Sequence, residues 1–444
     1  MITFITLFVS LVAGPQEIEV SVAPGVAQVE LFLDGRSLGS RSQPPWRWSH
    51  DFGIHLAPRE LKAVARDAEG EELDQARQLL NIPAARAGAS LVVEGTADRR
   101  WARLSWKTVE DQEPQSLEVW MDGGAVAVAD PSRIDLPPAD PQVLHLMTAK
   151  IVFPDGAEAR AWATFGGSYG DHEEAKVTAV PLRVASPDAG LKAEDLRGKL
   201  RARGKPLEVL ALEKGPAQIL LVRAPDTSEA LRRLGMGENV RGNDEPVTDP
   251  LRHMPRFLGR RDQFNVLSTW TRGPAGDRGK AGPPVADASL FSLLINDRRL
   301  LQAGLPTILT RGFAPVPDRA RHRLADAVAA AGRAAAADRQ PRAVILVVGG
   351  NTKDHSVYSA QQVRRYLSML RVPLTVWHIP TRRGQKPPRD WQGAIDISTP
   401  IRLREALHSL RNELDLQRIV WVEGAHLPQE IQPSAPGASF EMLE

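Results

Sequence analysis

Residues 166–170 carry the pattern of a nucleophilic serine. Their sequence, GGSYG, matches G-x-S-x-G, in which the serine sits on a strained turn between a strand and a helix. The residues that follow, 177–180 (VTAV), predict a strand where that turn requires a helix. We therefore interpret the stretch as an interdomain linker. A secreted hydrolase that uses Ser168 and His172 is kept as a remote alternative.

Two further stretches resemble ligand sites but fail on detail. Residues 171–174 (DHEE) offer oxygen and nitrogen ligands, yet adjacent side chains seldom converge on one ion, so a solvated linker is favoured. Residues 273–284 (GPAGDRGKAGPP) have one residue too many for a phosphate loop, and Ala281 stands where a magnesium-binding Ser or Thr is needed. Their four glycine triplets are too few for a collagen helix, and we predict a loop.

Composition bounds the elements that must position any site. The chain has 444 residues, which at about 150 residues per domain suggests two to four domains. Lys+Arg 56 against Asp+Glu 54 gives a net charge of +2, too balanced for a dedicated nucleic-acid binder. With Cys 0, disulfide scaffolds, cysteine-ligated metals and cysteine nucleophiles are excluded.

The N-terminal residues have the character of an export signal. Residues 2–13 (ITFITLFVSLVA) form an uncharged, mostly apolar run that ends in the small residue Ala13, although no Lys or Arg precedes it. We predict a signal peptide at residues 1–14 and a secreted or periplasmic protein; the alternative is a hydrophobic first strand in a cytoplasmic protein. No other run reaches the roughly 20 apolar residues of a membrane span, so we expect no transmembrane segment in the mature chain.

Short alternating runs predict a first β-sandwich at residues 15–86. Asp34-Gly35, between two such runs, is typical of a β-hairpin turn. The order "VELFLDGRSLG … PPWRWSHDFG … RELKAVARDAEG" resembles bacterial immunoglobulin-like domains. Trp46 and Trp48 are spaced to share one sheet face, and we assign them to the core rather than to a carbohydrate platform. A similar pattern, with a turn at residues 122–124 (DGG), predicts a second immunoglobulin-like sandwich at residues 87–170.

Beyond residue 175 the hydrophobic period changes. Short apolar runs alternate with helix-patterned segments, which predicts a doubly wound parallel-sheet domain at residues 215–425. The runs are residues 217–222, 264–270, 343–348, 374–379 and 418–422, and the helical segments are 287–302, 318–339, 359–370 and 401–414. Residues 171–214 are predicted as a linker and leading β segment, and residues 426–444 as a C-terminal tail.

Residues 176–424 resemble the bacterial, acidobacterial-type von Willebrand factor A-related proteins. Residues 180–184 (VPLRV), 190–196 (GLKAEDL) and 204–206 (GKP) follow the family order V-P-V-x-V, G-L-x-x-x-D-F and G-K-P. Residues 343–351 stand where the family has V-V-L-L-T-D-G. The resemblance implies a von Willebrand factor A-like domain with a metal-ion-dependent adhesion site. That site takes ligands from D-x-S-x-S, from a threonine and from the T-D-G aspartate.

This sequence matches the family's ion site only in part. Asp226 and Ser228, in the stretch DTSEA, are the nearest match to D-x-S-x-S, with Ala230 in place of the last serine. Thr307 stands at the threonine position, and Gly349 replaces the T-D-G aspartate.

The match is also displaced along the chain, because the strand would end at Arg223 or Ala224, before Asp226. We therefore predict a degenerate, metal-free site and no cofactor. The alternative is functional Mg²⁺ or Ca²⁺ binding through Asp226, Ser228 and Thr307. Residues 226–228 also suit a helix N-cap.

The predicted function is non-enzymatic adhesion or protein–protein interaction, with a protein partner at the cell envelope and no nucleic acid. Ligands of doubly wound sheets collect outside the carboxyl ends of the strands. The residues expected on that face are Asp226, Ser228, Thr307 and Asn351.

Overall fold

The computed structural model describes most of the chain, and the statements below concern the described residues only. These are residues 2–6, 8, 11–23, 25–82, 88–96, 99–107, 113–140, 145–154, 158–166, 177–187, 190–235, 262–271, 291–295, 321–337, 340–350, 352–381, 384–434 and 440–443.

The first unit is a β-sandwich of seven strands. They are β1 (Ile2–Phe4), β2 (Pro15–Val22), β3 (Gln28–Leu33), β4 (Arg36–Arg41), β5 (Arg47–Asp51), β6 (Arg59–Arg66) and β7 (Glu72–Leu80). Sheets β1-β2-β5 and β4-β3-β6-β7 enclose a common core. The predicted hairpin is confirmed, with φ of 50° at Asp34 and 80° at Gly35. Trp48 is buried in the core and Trp46 packs against it.

The segment predicted as a signal peptide contributes to this sandwich. Ile2 and Phe4 pair with Val22 and Val20 of β2 and are buried in its core. A buried strand and an export signal need the same apolar residues, so export and the cytoplasmic alternative both remain predictions. Cleavage after residue 14 remains a prediction.

The second unit is also a β-sandwich. Its strands are β8 (Gly88–Thr96), β9 (Arg99–Lys107), β10 (Ser116–Met121), β11 (Gly124–Val126), β12 (Ile134–Asp135), β13 (His145–Val152) and β14 (Glu158–Phe165). They form the sheets β11-β10-β13-β14 and β12-β9-β8. The two sheets share a core built from alternate residues of each strand.

Residues 171–214, predicted as a linker and leading segment, contain four strands. They are β15 (Val177–Val184), β16 (Leu200–Ala202), β17 (Lys205–Pro206) and β18 (Val209–Glu213).

The α/β unit follows. Its strands are β19 (Gln218–Arg223), β20 (Gln263–Thr271), β21 (Phe291–Ile295), β22 (Arg342–Val348), β23 (Leu374–His378) and β24 (Ile395–Asp396). Its helices are α1 (Ser228–Gly235), α2 (Leu324–Ala337), α3 (Ala360–Met369) and α4 (Pro400–Asp415). The sheet order is β21-β20-β19-β22-β23-β24, with five parallel strands and an antiparallel β21.

The described helices cover both faces of this sheet. Ile219 and Leu221 of β19 face α1 and α4, whereas Leu220 and Val222 face α2 and α3, because successive strand residues point to opposite faces. Helix α2 approaches α3 closely, since a Cβ on Gly332 would lie 2.5 Å from a methyl group of Leu367. Strands buried on both sides explain the continuous apolar runs in the sequence.

The helix predicted at residues 287–302 is wrong where the structure describes it. Residues 291–295 (FSLLI) form β21, which pairs antiparallel with β20. A short apolar run does not distinguish a strand from a buried helix by periodicity alone.

Three more strands close the chain. They are β25 (Gln417–Glu423), β26 (Ile431–Pro433) and β27 (Phe440–Met442). With β15–β18 they make a small two-sheet unit, of order β18-β25-β15-β27 and β17-β16-β26, around its own core.

This small unit corrects two predicted boundaries. Residues 418–422, predicted as a strand of the parallel sheet, lie in β25 and pair antiparallel with β15, with Val180 opposite Val420. Residues 426–444, predicted as a tail, supply β26 and β27. The apolar run shows that a strand is buried but not which sheet buries it.

The units contact one another through buried side chains. Leu11 and Leu56 of the first sandwich join the core formed by α2 and α3, and Tyr366 Oη donates to the Asn81 carbonyl at 2.7 Å. Trp162 of the second sandwich packs on Trp421 of β25, with ring centroids 6.1 Å apart. Among the described residues, no helix has the length and apolar character to cross a bilayer.

Candidate functional site

The candidate site lies where β19 and β22 end side by side. Both strands are parallel and in register, with Val222 opposite Leu346. The chain leaves β19 for α1 on one face and leaves β22 for α3 on the other. Open α/β sheets bind ligands at the carboxyl edge where the chain changes direction in this way.

Asp226 and Gly349 meet at this edge. Asp226 follows β19 and is half-buried, and Gly349 follows β22 directly. A Cβ on Gly349 would lie 2.5 Å from Asp226 Oδ2 and 2.7 Å from its Cγ. The Asp226 carboxylate therefore occupies the space that any side chain at position 349 would need.

The hydroxyl groups after Asp226 bond to the turn that carries them. Ser228 Oγ donates to the Pro225 carbonyl at 2.8 Å, and Thr227 Oγ1 donates to the Ala224 carbonyl at 2.5 Å. Both hydroxyls therefore donate to carbonyls three residues earlier in the chain and do not accept from the first helix amides. This differs from the predicted N-cap role.

Positions 230 and 223 are also unlike those of an ion site. Ala230 is 5% exposed and packs with Leu231 and Leu234 against the sheet, so a serine hydroxyl there would face the apolar core. Arg223, at the last position of β19, is 1% exposed. Burial lowers the pKa of the Arg223 guanidinium to about 9.

Two histidines, His322 and His355, lie near the same edge. His322 Nδ1 is 3.0 Å from Oγ1 of Thr269, which lies near the end of β20. The His322 backbone carbonyl accepts from the His355 amide at 2.7 Å. Burial lowers the pKa of His322, while the negative charges of Asp226 and Asp354 act in the opposite direction.

The loop after β22 is fastened to the start of α2. The Asp354 carboxylate accepts from the amides of Leu324 at 2.9 Å and Ala325 at 3.2 Å, and from Ser356 Oγ at 2.5 Å. Asp326, fully buried, accepts from the amides of Val357 and Tyr358 and pairs with Arg323 at 2.6 Å. Burial raises the pKa of Asp326 against the effect of Arg323.

The site predicted from the sequence did not include these loop residues. His322 and Asp354 are separated by more than thirty residues, and neither belongs to the predicted set of Asp226, Ser228, Thr307 and Asn351. The D-x-S pattern of residues 354–356 was the available signal, since it is typical of a side chain that bonds to nearby backbone amides.

Among the described residues, the oxygen donors that the family resemblance implies are present only in part. Mg²⁺ and Ca²⁺ take several oxygen ligands around one point, whereas Ala230 supplies no hydroxyl and Gly349 supplies no carboxylate. Within the described ranges, no three His, Asp or Glu side chains are placed to hold a metal ion. Thr307 and Asn351, also predicted for this face, lie outside the described residues.

The remaining catalytic and ligand candidates cannot be placed. Ser168, His172, the acidic stretch at 171–174 and the glycine-rich stretch at 273–284 all lie outside the described residues.

Comparison with known proteins gives no family. No family model matches the chain, and no curated protein matches it. Among solved structures, the fibronectin(III)-like modules of Clostridium thermocellum CbhA match 18% of this chain and 93% of their own, at 16% identity and a TM-score of 0.17. The central fibronectin-III array of RIM-binding protein matches 45% of this chain and 81% of its own, at 11% identity and a TM-score of 0.19.

A third similarity is to a larger enzyme. The β-glucuronidase of Parabacteroides merdae matches 38% of this chain at 14% identity and a TM-score of 0.18, and the match spans 25% of that enzyme. At these scores the similarities carry no argument about activity, and the sandwich assignment here rests on the sheets themselves.

Proposed function

We propose that this chain is a non-enzymatic binding protein whose doubly wound, von Willebrand factor A-like α/β unit recognises a protein partner at the carboxyl edge of its parallel sheet. Asp226 and Ser228 lie at that edge. The sandwiches act as spacers and supports. The partner belongs to the cell envelope, and recognition needs no metal ion.

The observation that carries the proposal is the position of Asp226 against Gly349. These residues follow the two neighbouring strands at which the chain changes direction, and that edge is where doubly wound sheets bind ligands. The sheet order, with its antiparallel β21, also supports a doubly wound unit.

The local contacts support binding without a cation. The Asp226 carboxylate lies against the backbone of Gly349, and a buried guanidinium, Arg223, ends the same strand. The hydroxyls of Thr227 and Ser228 donate to carbonyls of their own turn, which supports a role for them in shaping that turn.

Photocrosslinking from the edge tests the proposal. Val357, 41% exposed in the loop after β22, is replaced by benzoylphenylalanine, and Lys199, exposed on the small β unit, serves as the matched control position. We expect a defined adduct in envelope extracts from position 357 only, with the same yield in the presence of a chelator. The partner, identified by mass spectrometry, is then purified and the experiment repeated.

Two results would count against the proposal. Adducts of equal yield from both positions would place the partner elsewhere. A chelator-sensitive adduct, together with sub-millimolar Mg²⁺ or Ca²⁺ binding in calorimetry that Asp226→Ala removes, would establish the cation-dependent alternative.

A further inference from the structure

The loops after β22 and β23 place exposed cations at the same edge. In residues 353–357, exposure alternates, so that Lys353, His355 and Val357 are exposed while Asp354 and Ser356 are half-buried. The one carboxylate of this segment, Asp354, is held inward by the start of α2. The outward side therefore carries positive charge and one apolar group.

The neighbouring loop adds further cations. Lys386 and Arg389 are exposed in the connection between β23 and β24. Within the part of the chain that the structure describes, Lys353, Lys386 and Arg389 form no ion pair. Their positive charges are therefore available to a partner, although the negative charge of the adjacent Asp390 offsets part of the charge of Arg389.

A direct contact joins the two loops. Gly350 has φ of +116°, and a Cβ there would lie 2.8 Å from the Lys386 carbonyl oxygen and 3.0 Å from Gln385 Nε2. Gln385 is fixed in turn, because its Oε1 accepts from the Thr381 amide at 2.7 Å. Lys353 lies three residues after Gly350, within about 10 Å along the chain. Both exposed lysines therefore lie beside the junction of the two loops.

We propose that this surface, formed by Lys353, His355, Val357 and Lys386, binds an acidic segment of the partner protein. The inference rests on the proposed function and names the chemistry of the partner. Unpaired surface cations attract carboxylates and speed encounter with an acidic chain. Exposed Val357 supplies an apolar contact beside them. A nucleic acid is disfavoured because nucleic-acid binders carry larger clusters of basic residues than this surface offers.

Peptide binding to the full chain tests the inference. The probe is a labelled peptide of about a dozen residues that contains Glu, Asp and Leu, and its control replaces each acid by the amide. At low salt, about 50 mM, we expect the acidic peptide to bind and the amide peptide to bind about tenfold more weakly.

Charge variants locate the binding. The double variant Lys353→Gln/Lys386→Gln should weaken binding of the acidic peptide about five- to tenfold and reduce its salt dependence. The matched control Lys199→Gln/Lys205→Gln removes the same charge from two exposed positions of the small β unit and should change the affinity less than twofold. All four positions are exposed, so folding should be unaffected.

Three outcomes would overturn the inference. They are no binding of the acidic peptide, equal weakening by both double variants, or equal affinity for a single-stranded DNA of the same charge. These results are distinct from failure of the proposed function. An adduct from position 357 together with peptide failure would keep the edge as the partner site and reject its acidic specificity.

Discussion

At the scale of single residues, the site depends on the absence of a side chain at position 349. Gly349 lets the Asp226 carboxylate rest on the backbone after β22. The carboxylate fills the space that a side chain at position 349 would occupy.

Gly349→Ala should destabilise the protein by about 1–3 kcal/mol, because its Cβ would overlap the Asp226 carboxylate. Urea unfolding measures the loss. In the Asp226→Ala background the cost should shrink, since the overlapping group is gone. Gly190→Ala is the control, because no atom lies within 4 Å of its Cβ. An equal cost in both backgrounds would contradict this account.

Glu213 should make stability depend on pH. Burial raises its pKa, although Trp421 Nε1–H donates to it and Arg160 attracts it. The folded state therefore holds the proton more tightly than the unfolded state, so stability falls as pH rises above the ordinary glutamate value of about 4.3. Glu213→Gln should raise Tm at pH 7 and have little effect below about pH 4. A lower Tm for Glu213→Gln at pH 7 would show that the Arg160 attraction dominates.

At the scale of elements, hydrogen bonds hold the loop after β22 against the start of α2. The Asp354 carboxylate of the loop accepts from the first amide of the helix, and the Asp326 carboxylate of the helix accepts from the amides of Val357 and Tyr358. The two contacts run in opposite directions between loop and helix. They fix the path of the segment that presents Lys353 and His355.

Asp326→Ala should destabilise the α/β unit by about 3–5 kcal/mol, because Arg323, 7% exposed, would keep a buried charge without its carboxylate. Chemical unfolding measures the change. The double variant Arg323→Ala/Asp326→Ala should lose less than the two single losses combined. Additive losses would mean that the pair does not act as a unit.

At the scale of the whole molecule, the α/β unit is an insertion between two strands of the small β unit. The chain leaves at β18 and returns at β25, which pairs with both β15 and β18. The second sandwich packs on this small unit through Trp162 and Trp421, and the first sandwich packs on α2 and α3. The α/β unit that carries the carboxyl edge is therefore held by contacts with the first sandwich and by its two chain connections to the small β unit.

Asn81 connects the N-terminal segment, the first sandwich and α3. Its side chain accepts from the Val12 amide at 2.6 Å and donates to the carbonyls of Val12 and Ala57, and its own carbonyl accepts from Tyr366. Asn81→Ala leaves buried backbone groups without partners and should cost about 2–3 kcal/mol, whereas Tyr366→Phe should cost about 1 kcal/mol. Calorimetry of the full chain measures both, and a larger loss for Tyr366→Phe would contradict the role given to Asn81.

The sequence by itself determined the local elements. Asp34-Gly35 defined a hairpin because few residue pairs adopt positive φ at both turn positions. The helical period of residues 359–370 and 401–414 predicted α3 and α4 within one residue or so. Continuous apolar runs predicted β19, β22 and β23, because strands covered on both faces have no polar side.

Only the tertiary structure decided which elements meet. Residues 291–295 and 418–422 are apolar in either setting, and their pairing partners made the first an edge strand and the second part of an antiparallel sheet. The contact of Asp226 with Gly349 likewise joins residues more than 120 positions apart. Patterns along the chain report burial and local geometry, whereas a site at a strand edge depends on strand order, which long-range packing sets.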